Sequence, residues 1–362
     1  MKAKAAVAFK LGEALKICDV DVAPPKHDEV QIKMVASGVC HTDAVARDLE
    51  GVFPLPGILG HEGSGVVTAV GEDVDSVSIG DHVVLSFSSC QHCSHCLSGH
   101  PTVCEDFNPL NFGGTLKGGG SPYSYEGEAL SIFFGQSSFS EVVVTKATNV
   151  IVVDKEIDLR LLGPLGCGIQ TGAGTVLNRL NPKANESIVI YGTGAVGLSA
   201  IMAAKAIGCY PIVAVDIHDH RLDLAKELGA THTINSKNED PVASIKALTG
   251  FGAVYAIETT GVEAVVKQAL AGVKPLGVVA IVGFTGDVTL NIHNELMWEG
   301  KSLIGVIEGD SIPKIFIPTL ISLYKQGKFP FDRLVKFYPF EEINQAFADS
   351  ASGKVIKPIV TF

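Results

Sequence analysis

Ile188-Val189-Ile190-Tyr191-Gly192-Thr193-Gly194-Ala195-Val196-Gly197 decides the architecture of this chain. The four leading apolar residues read as a strand buried on both faces. A Gly-x-Gly-x-x-Gly follows at once and opens an apolar helix that runs to Gly208. Strand, glycine turn and helix in that order are the context that makes the motif a dinucleotide fingerprint. Gly192 would make the tight turn, Gly194 would let a pyrophosphate approach the backbone, and Gly197 would let helix and strand pack closely. The helix start, with Val196 in its first turn, then offers unpaired N–H groups to the phosphates.

The next apolar run, 211–215, ends in Asp216, 22 residues after Gly194. A carboxylate there accepts from both ribose hydroxyls of NAD and repels the 2′-phosphate of NADP. Its plainer reading is a helix N-cap. Arg221 either covers the adenine-ribose edge or is a solvated residue of a helix at 221–228. Strands at 253–257 and 278–282, with a helix at 262–273 between them, extend an α/β doubly wound parallel sheet.

Residues 1 to about 90 have another style. Polar and apolar residues alternate over 29–35, and short runs at 65–71 and 82–85 lie between turn residues, which predicts a small barrel-like β domain. A long Gly-, Ser- and Asn-rich loop at 106–138 reads as an excursion at the mouth of an active site or an oligomer contact. The aromatics of Phe133-Phe134-Gly135-Gln136-Ser137-Ser138-Phe139 then dock back onto the core. The tail predicts an amphipathic helix over 312–326 and a closing strand over 355–362.

With 362 residues, two domains are expected. Charged residues make up 19% and the formal charge is −11, which argues for a folded protein and against nucleic acid or an anionic membrane as main partner. The first residues read as a strand rather than a signal peptide. The longest apolar stretch, 195–207, is interrupted by Lys205 and reads as a buried helix, not a membrane span. A reducing, cytoplasmic setting follows, in which eight cysteines bind metal sooner than pair.

Cys40 and His61 are a thiolate and an imidazole, ligand types that zinc prefers, and Cys167 is a third candidate far downstream. Three protein ligands with one open position is the pattern of a catalytic zinc. Cys90, Cys93, Cys96 and Cys104 lie within fifteen residues and would close a tetrahedral structural site. An iron–sulfur cluster or redox thiols are the alternative, although the Cys-Pro of a bacterial ferredoxin run is missing. His92 and His95 are spare nitrogen ligands or solvated loop residues.

Cys40-His41-Thr42-Asp43, Gly60-His61-Glu62-Gly63, the four-cysteine lobe, Cys167 and the glycine motif with Asp216 together resemble the zinc-containing medium-chain alcohol dehydrogenases, end to end. Segments 163–172, 134–139 and 327–331 are similar to the bacterial aryl-alcohol (benzyl alcohol) and geraniol dehydrogenases. The resemblance implies a GroES-like, β-rich catalytic domain at 1–168 with its zinc lobe at 90–104. It implies a Rossmann NAD-binding domain at 169–307 and a return to the catalytic domain over 308–362. It implies two zincs per chain and NAD as cofactors, a small alcohol or aldehyde as partner, and a homodimer or homotetramer.

Roles follow from the same resemblance. Cys40, His61 and Cys167 would hold the catalytic zinc, with Glu62 able to replace water on it. Asp43 would accept a hydrogen bond from His61 and fix its tautomer. His41 and Lys357 would face the NAD pyrophosphate as cations. Thr42 would carry the proton away as hydride passes from the alcohol to nicotinamide. Many members carry a histidine where this chain has Val45, so the outer end of that relay differs: Thr42 would pass its proton to the cofactor ribose and water, or by way of His41. Ser86, Phe284 and Ile307 fall near family substrate pockets, with Val52 and Phe53 as lid residues. The expected reaction is oxidation of a primary aromatic or allylic alcohol. Oxidation of a terpene or short aliphatic alcohol, a zinc-free quinone reductase, glutathione-dependent formaldehyde oxidation, or a non-catalytic NAD-binding or structural protein are the competing readings.

Overall fold

The computed structural model describes residues 1–362, and the chain forms two compact units. One holds Met1–Cys167, Ile312–Pro318 and Asp332–Phe362; the other holds Gly168–Ser311 and Thr319–Phe331. The second junction thus falls at Ser311, a few residues beyond the expected 307. Local bonding explains this: the Gln170 and Thr171 side chains donate to Glu308 Oε2 at 3.1 and 3.4 Å, and Ser311 donates to Gln170 at 3.2 Å.

The second unit is built on a six-stranded parallel sheet. Its order is His232–Asn235, Ile212–Asp216, Ile188–Tyr191, Ala253–Glu258, Val273–Ile281 and Ser302–Gly305. Strand order reverses between Ile188–Tyr191 and Ala253–Glu258, and ligands of such sheets sit at that reversal. All four residues of Ile188–Tyr191 are buried, as an apolar strand with both faces covered must be. The strands at His232–Asn235 and Ser302–Gly305 are outer ones, half exposed and short, so their apolar signal in sequence is weak.

The first unit is all but free of long helices. One sheet runs Val150–Val152, His82–Leu85, Gly63–Val70, Glu29–Gly38, Lys357–Thr361 and Val335–Pro339, with Val142–Lys146 also paired to Glu29–Gly38. The closing strand lies antiparallel to Glu29–Gly38, with Ile359 opposite Gly38, so the C-terminal strand completes a sheet begun by the N-terminal part of the chain. A second sheet pairs Lys2–Ala8 with Lys16–Val22 and extends to Tyr123–Tyr125 and Glu128–Ala129.

The expected long loop at 106–138 is interrupted by short secondary structure. Phe107–Phe112 is a helix, and Tyr123–Tyr125 and Glu128–Ala129 form a hairpin. Glu126 and Gly127 turn that hairpin with φ of 51° and 87°, the left-handed pair that matches strand twist. Phe133, Phe134 and Phe139 are buried in the core, as their aromatic character demanded. No helix of the chain is long and apolar enough to cross a membrane.

In the C-terminal return, Tyr338 donates to Asp349 Oδ2 at 2.6 Å and Gln345 to Asp349 Oδ1 at 2.9 Å. These bonds, with Lys354 nearby, outweigh partial burial and hold the carboxyl down at about 2. A depressed folded value stabilises wherever the unfolded carboxyl, titrating at about 3.9, is ionised. The stability lost in Asp349→Ala should be complete above about pH 5 and shrink as pH falls toward 2. Denaturant midpoints across that range test this; a gap that stays constant down to pH 2 would refute it.

Candidate active site

Cys40 ends the approach to a short helix, His41–Asp48, and stands at its N-cap. Asp43 lies three residues on, where the first turn folds its carboxylate back toward the cap. Asp43 Oδ2 accepts from the Cys40 backbone N–H at 3.0 Å, and Oδ1 accepts from Gly60 N–H at 3.0 Å and pairs with His61 Nδ1 at 2.9 Å. A helix-cap role and a histidine-orienting role thus coincide in one side chain. Gly60 has φ of 93°, and a Cβ there would lie 2.5 Å from the Phe139 nitrogen, so only glycine lets the chain turn into His61.

With Nδ1 committed to Asp43, His61 Nε2 is buried and has no hydrogen-bond partner. An orphaned buried nitrogen is costly unless something binds it. Cys40, Cys167 and Glu62 each bring one atom close enough that all four donor atoms lie within 4.8 Å of one another. Two sulfurs, one imidazole nitrogen and one carboxylate oxygen fit zinc. The hydrogen bond shared with Cys167 lowers the Cys40 thiol below its ordinary value against the pull of burial, and Lys357 adds to this. Thr42 places its hydroxyl 3.7 Å from Cys40 Sγ, while Val45 is buried.

Lys357 closes the first unit's site from the C-terminal strand. It is buried, and its ammonium donates to both Glu62 oxygens at 2.9 Å and to Val39 O at 3.2 Å. Burial alone would lower its pKa, but Glu62 and then Cys40 more than offset this and hold it above the usual lysine range. A buried carboxylate needs a counter-charge, and Lys357 supplies it. His41 is exposed and free of that constraint.

The residues expected near the substrate fall in different surroundings. Phe53 is a core residue, edge-on to Phe133 at 5.1 Å. Ser86 is buried and donates to Gly166 O at 2.7 Å, which fixes the backbone leading into Cys167. It borders a cavity of about 100 Å³ with Ser89, Gln91, Cys96 and Asn149, on the lobe side and away from the four donors. Val52 is half-buried against the core, and Phe284 and Ile307 are exposed on the second unit. Gln136 was not foreseen: it is fully buried and its amide donates to His61 O at 3.1 Å and Ser86 O at 3.3 Å. Its signal in sequence is a lone amide between aromatics.

Cys90, Cys93, Cys96 and Cys104 bring their sulfurs within 4.8 Å of one another. Backbone N–H groups of Cys90 and Asp106 donate to Cys104 Sγ, those of His92 and Cys93 to Cys90 Sγ, and that of Cys96 to Cys93 Sγ. Such donors favour thiolate: the Cys96 N–H draws Cys93 down to about 6, whereas burial outweighs them at Cys104 and pushes it up to about 12. A closed set of four sulfurs is a structural zinc site. His92 and His95 are exposed beside it.

In the second unit, Gly192 turns with φ of 88°, and a Cβ on Gly197 would sit 1.8 Å from Gly192 O. A Cβ on Gly194 would meet nothing within 4 Å, which leaves the space a pyrophosphate requires. Gly194 caps the helix Ala195–Ala206, with Val196 in its first turn. Asp216 is held by four donors: Thr193 N and Oγ1, both at 2.7 Å, Ile217 N at 2.7 Å and His218 N at 3.0 Å. Arg221 Nε is buried with no partner.

Fold and sites define a metal- and dinucleotide-dependent oxidoreductase. Residues 26–155 match the family described as alcohol dehydrogenase GroES-like domain, and residues 195–325 match zinc-binding dehydrogenase. The whole chain is 44% identical to a geraniol dehydrogenase of Castellaniella defragrans, 98% of which it covers. The crystal structure of a benzyl alcohol dehydrogenase from Acinetobacter calcoaceticus matches with a TM-score of 0.96 at 45% identity, over all of this chain and 99% of that one. An alcohol dehydrogenase zinc-binding domain protein from Burkholderia ambifaria gives 0.97 at 47% over the same shares. The chain belongs to the zinc-containing alcohol dehydrogenases, oxidoreductases that use zinc and NAD.

Removing one member of a buried ion pair leaves the other uncompensated, at about 3–5 kcal/mol. Lys357→Met should lower unfolding stability by about that amount, and adding Glu62→Gln should recover most of it. Denaturant unfolding of the three proteins measures this; a single variant as stable as the parent would count against the pairing.

Proposed function

We propose that this chain reversibly oxidises a primary alcohol whose carbinol carbon adjoins a π system, of benzyl alcohol type, to the aldehyde with NAD. The observation that carries it is the pair of full-length relatives named for geraniol and for benzyl alcohol, at 44% and 45% identity. Both alcohols carry the hydroxyl carbon next to unsaturation, allylic in one and benzylic in the other. Geraniol itself is the second reading, supported by the first of those relatives.

The orphaned His61 Nε2, with Cys40 and Cys167, would hold the metal, and Glu62 stands beside them, held by Lys357. When bound, zinc supplies the positive charge that acidifies a hydroxyl at neutral pH. Thr42 would take up that proton; Val45 is buried and apolar, so the onward path would run by a cofactor ribose hydroxyl or by way of exposed His41. Asp216 would receive the adenosine ribose, and Thr193 anchors Asp216. Arg221 lies near the same edge.

We place the chain in the cytoplasm as a homodimer or homotetramer. Six of its cysteines gather in two metal sets, which suits a reducing compartment. Leu276, Met297 and Trp298 are largely exposed near the outermost strand Ser302–Gly305, and an apolar sheet edge suits self-association.

NADH formation from benzyl alcohol, cinnamyl alcohol, geraniol and ethanol, each with NAD and with NADP, tests the substrate. Catalytic efficiency should favour the unsaturated alcohols over ethanol by roughly a hundredfold or more, since a site shaped for a planar π system leaves ethanol little to bind. Ethanol in the lead would reject the π-adjacent class. Cys40→Ser should abolish turnover and release one of two zincs; full activity without that zinc would reject the metal reading. For the cofactor, Asp216→Ser should narrow the preference for NADH over NADPH in fluorescence binding, and Thr193→Val should narrow it less.

A further inference from the structure

The metal ligand His61 is gripped by more than Asp43. Phe134 stacks on its ring, with centroids 4.6 Å apart and planes 29° from parallel, and Phe133 meets it edge-on at 5.5 Å. The imidazole torsion is broad and roughly two-fold, so a single hydrogen bond at Nδ1 leaves the ring plane free to rock. Contact with a flat ring removes that freedom and sets where Nε2 aims.

Phe134 is in turn held by the four-cysteine lobe and the chain that flanks it. Its N–H donates to Asn111 O at 2.8 Å, and its carbonyl accepts from Ser88 Oγ at 3.4 Å. Asn111 is fully buried: Ser88 N–H donates to its Oδ1 at 2.8 Å, and its amide donates to Ser88 O at 2.9 Å and Phe107 O at 2.7 Å. Ser88 leads into Cys90, and Phe107 N–H donates to Cys104 O at 2.9 Å. The Phe107 ring packs against the cysteine cluster and also meets Phe134 edge-on at 6.5 Å. Phe134 has φ of 51° and Gly135 φ of 60°. A side chain on Gly135 would strike Ser88 Oγ at 2.4 Å, so glycine permits this close seat. A phenylalanine in the left-handed region persists only where its surroundings impose it.

We propose that Phe134 is a positioning residue for His61, and that the four-cysteine lobe, through Asn111 and Phe107, holds Phe134 in place. The structural site thereby sets the aim of a catalytic metal ligand. This rests on His61 being a metal ligand.

The test uses the full chain with cobalt exchanged into the catalytic site and zinc kept in the lobe. The d–d absorption reports ligand geometry, and release of cobalt to a chelator reports retention; neither needs substrate. Phe134→Leu keeps an apolar group and removes the ring. It should shift the d–d bands and speed cobalt release roughly tenfold, the scale on which supporting partners act on a metal site. Phe134→Tyr keeps the ring and should stay within about twofold of the parent. Phe107→Leu should move both readouts the same way with lobe zinc still at one per chain. If Phe134→Leu does not fold, Phe134→Met carries the same test.

A parent-like spectrum and release rate in the Leu or Met variant would overturn the positioning role. Parent-like values in Phe107→Leu alone would overturn the link to the lobe. Failure of the parent to take up a second metal at all would overturn the ligand reading instead.

Discussion

A buried nitrogen with nothing to bond organises the first unit. His61 has one ring nitrogen tied to Asp43 and the other tied to no protein atom. In a desolvated site that arrangement is costly unless a cation occupies the vacant direction, because unmet polar groups lose their water without return. The neighbouring groups conform to this. Asp43 serves both the imidazole and the helix cap, Gln136 holds the His61 carbonyl, and Ser86 holds the backbone before Cys167. Each satisfies a polar group near the metal donors without offering a competing ligand.

Charge in the same place has to be compensated. Two cysteines and a glutamate gather around a cation-binding point, and Lys357 arrives from 295 residues away to pair with Glu62. Only the sheet in which the closing strand lies against Glu29–Gly38 makes that meeting possible. The C-terminal strand is therefore part of the site as well as of the fold. Fully buried, a lysine is tolerable there because its ammonium has three acceptors within hydrogen-bonding distance.

Sulfur chemistry does for the lobe what apolar packing does elsewhere. The segment 90–104 contains little that could make a core, and backbone N–H groups turned toward the sulfurs replace one. The helix Phe107–Phe112 then carries aromatic surface from the lobe into the core of the first unit. Glycine and serine in 106–138 suggested an excursion because turn residues dominate its composition. The three-residue and two-residue strands inside it are too short to show periodicity, and they are ordered by pairing with Lys16–Val22 and with each other.

The sequence alone determined what is carried by local order and residue chemistry. The strand-glycine-helix motif, Asp216 at a strand end, the spacing of four cysteines, and the pairing of Cys40 with His61 as zinc-type donors all depend on neighbours in the chain or on ligand preference. Tertiary structure decided the rest, because those properties belong to groups brought together from afar. It turned Lys357 to Glu62, set Phe53 against Phe133 and tied Ser86 to the Gly166 carbonyl. It placed Thr193 on Asp216 and Phe134 on His61. A side chain's type states what it can bond; only the folded chain states which bonds burial leaves open to it.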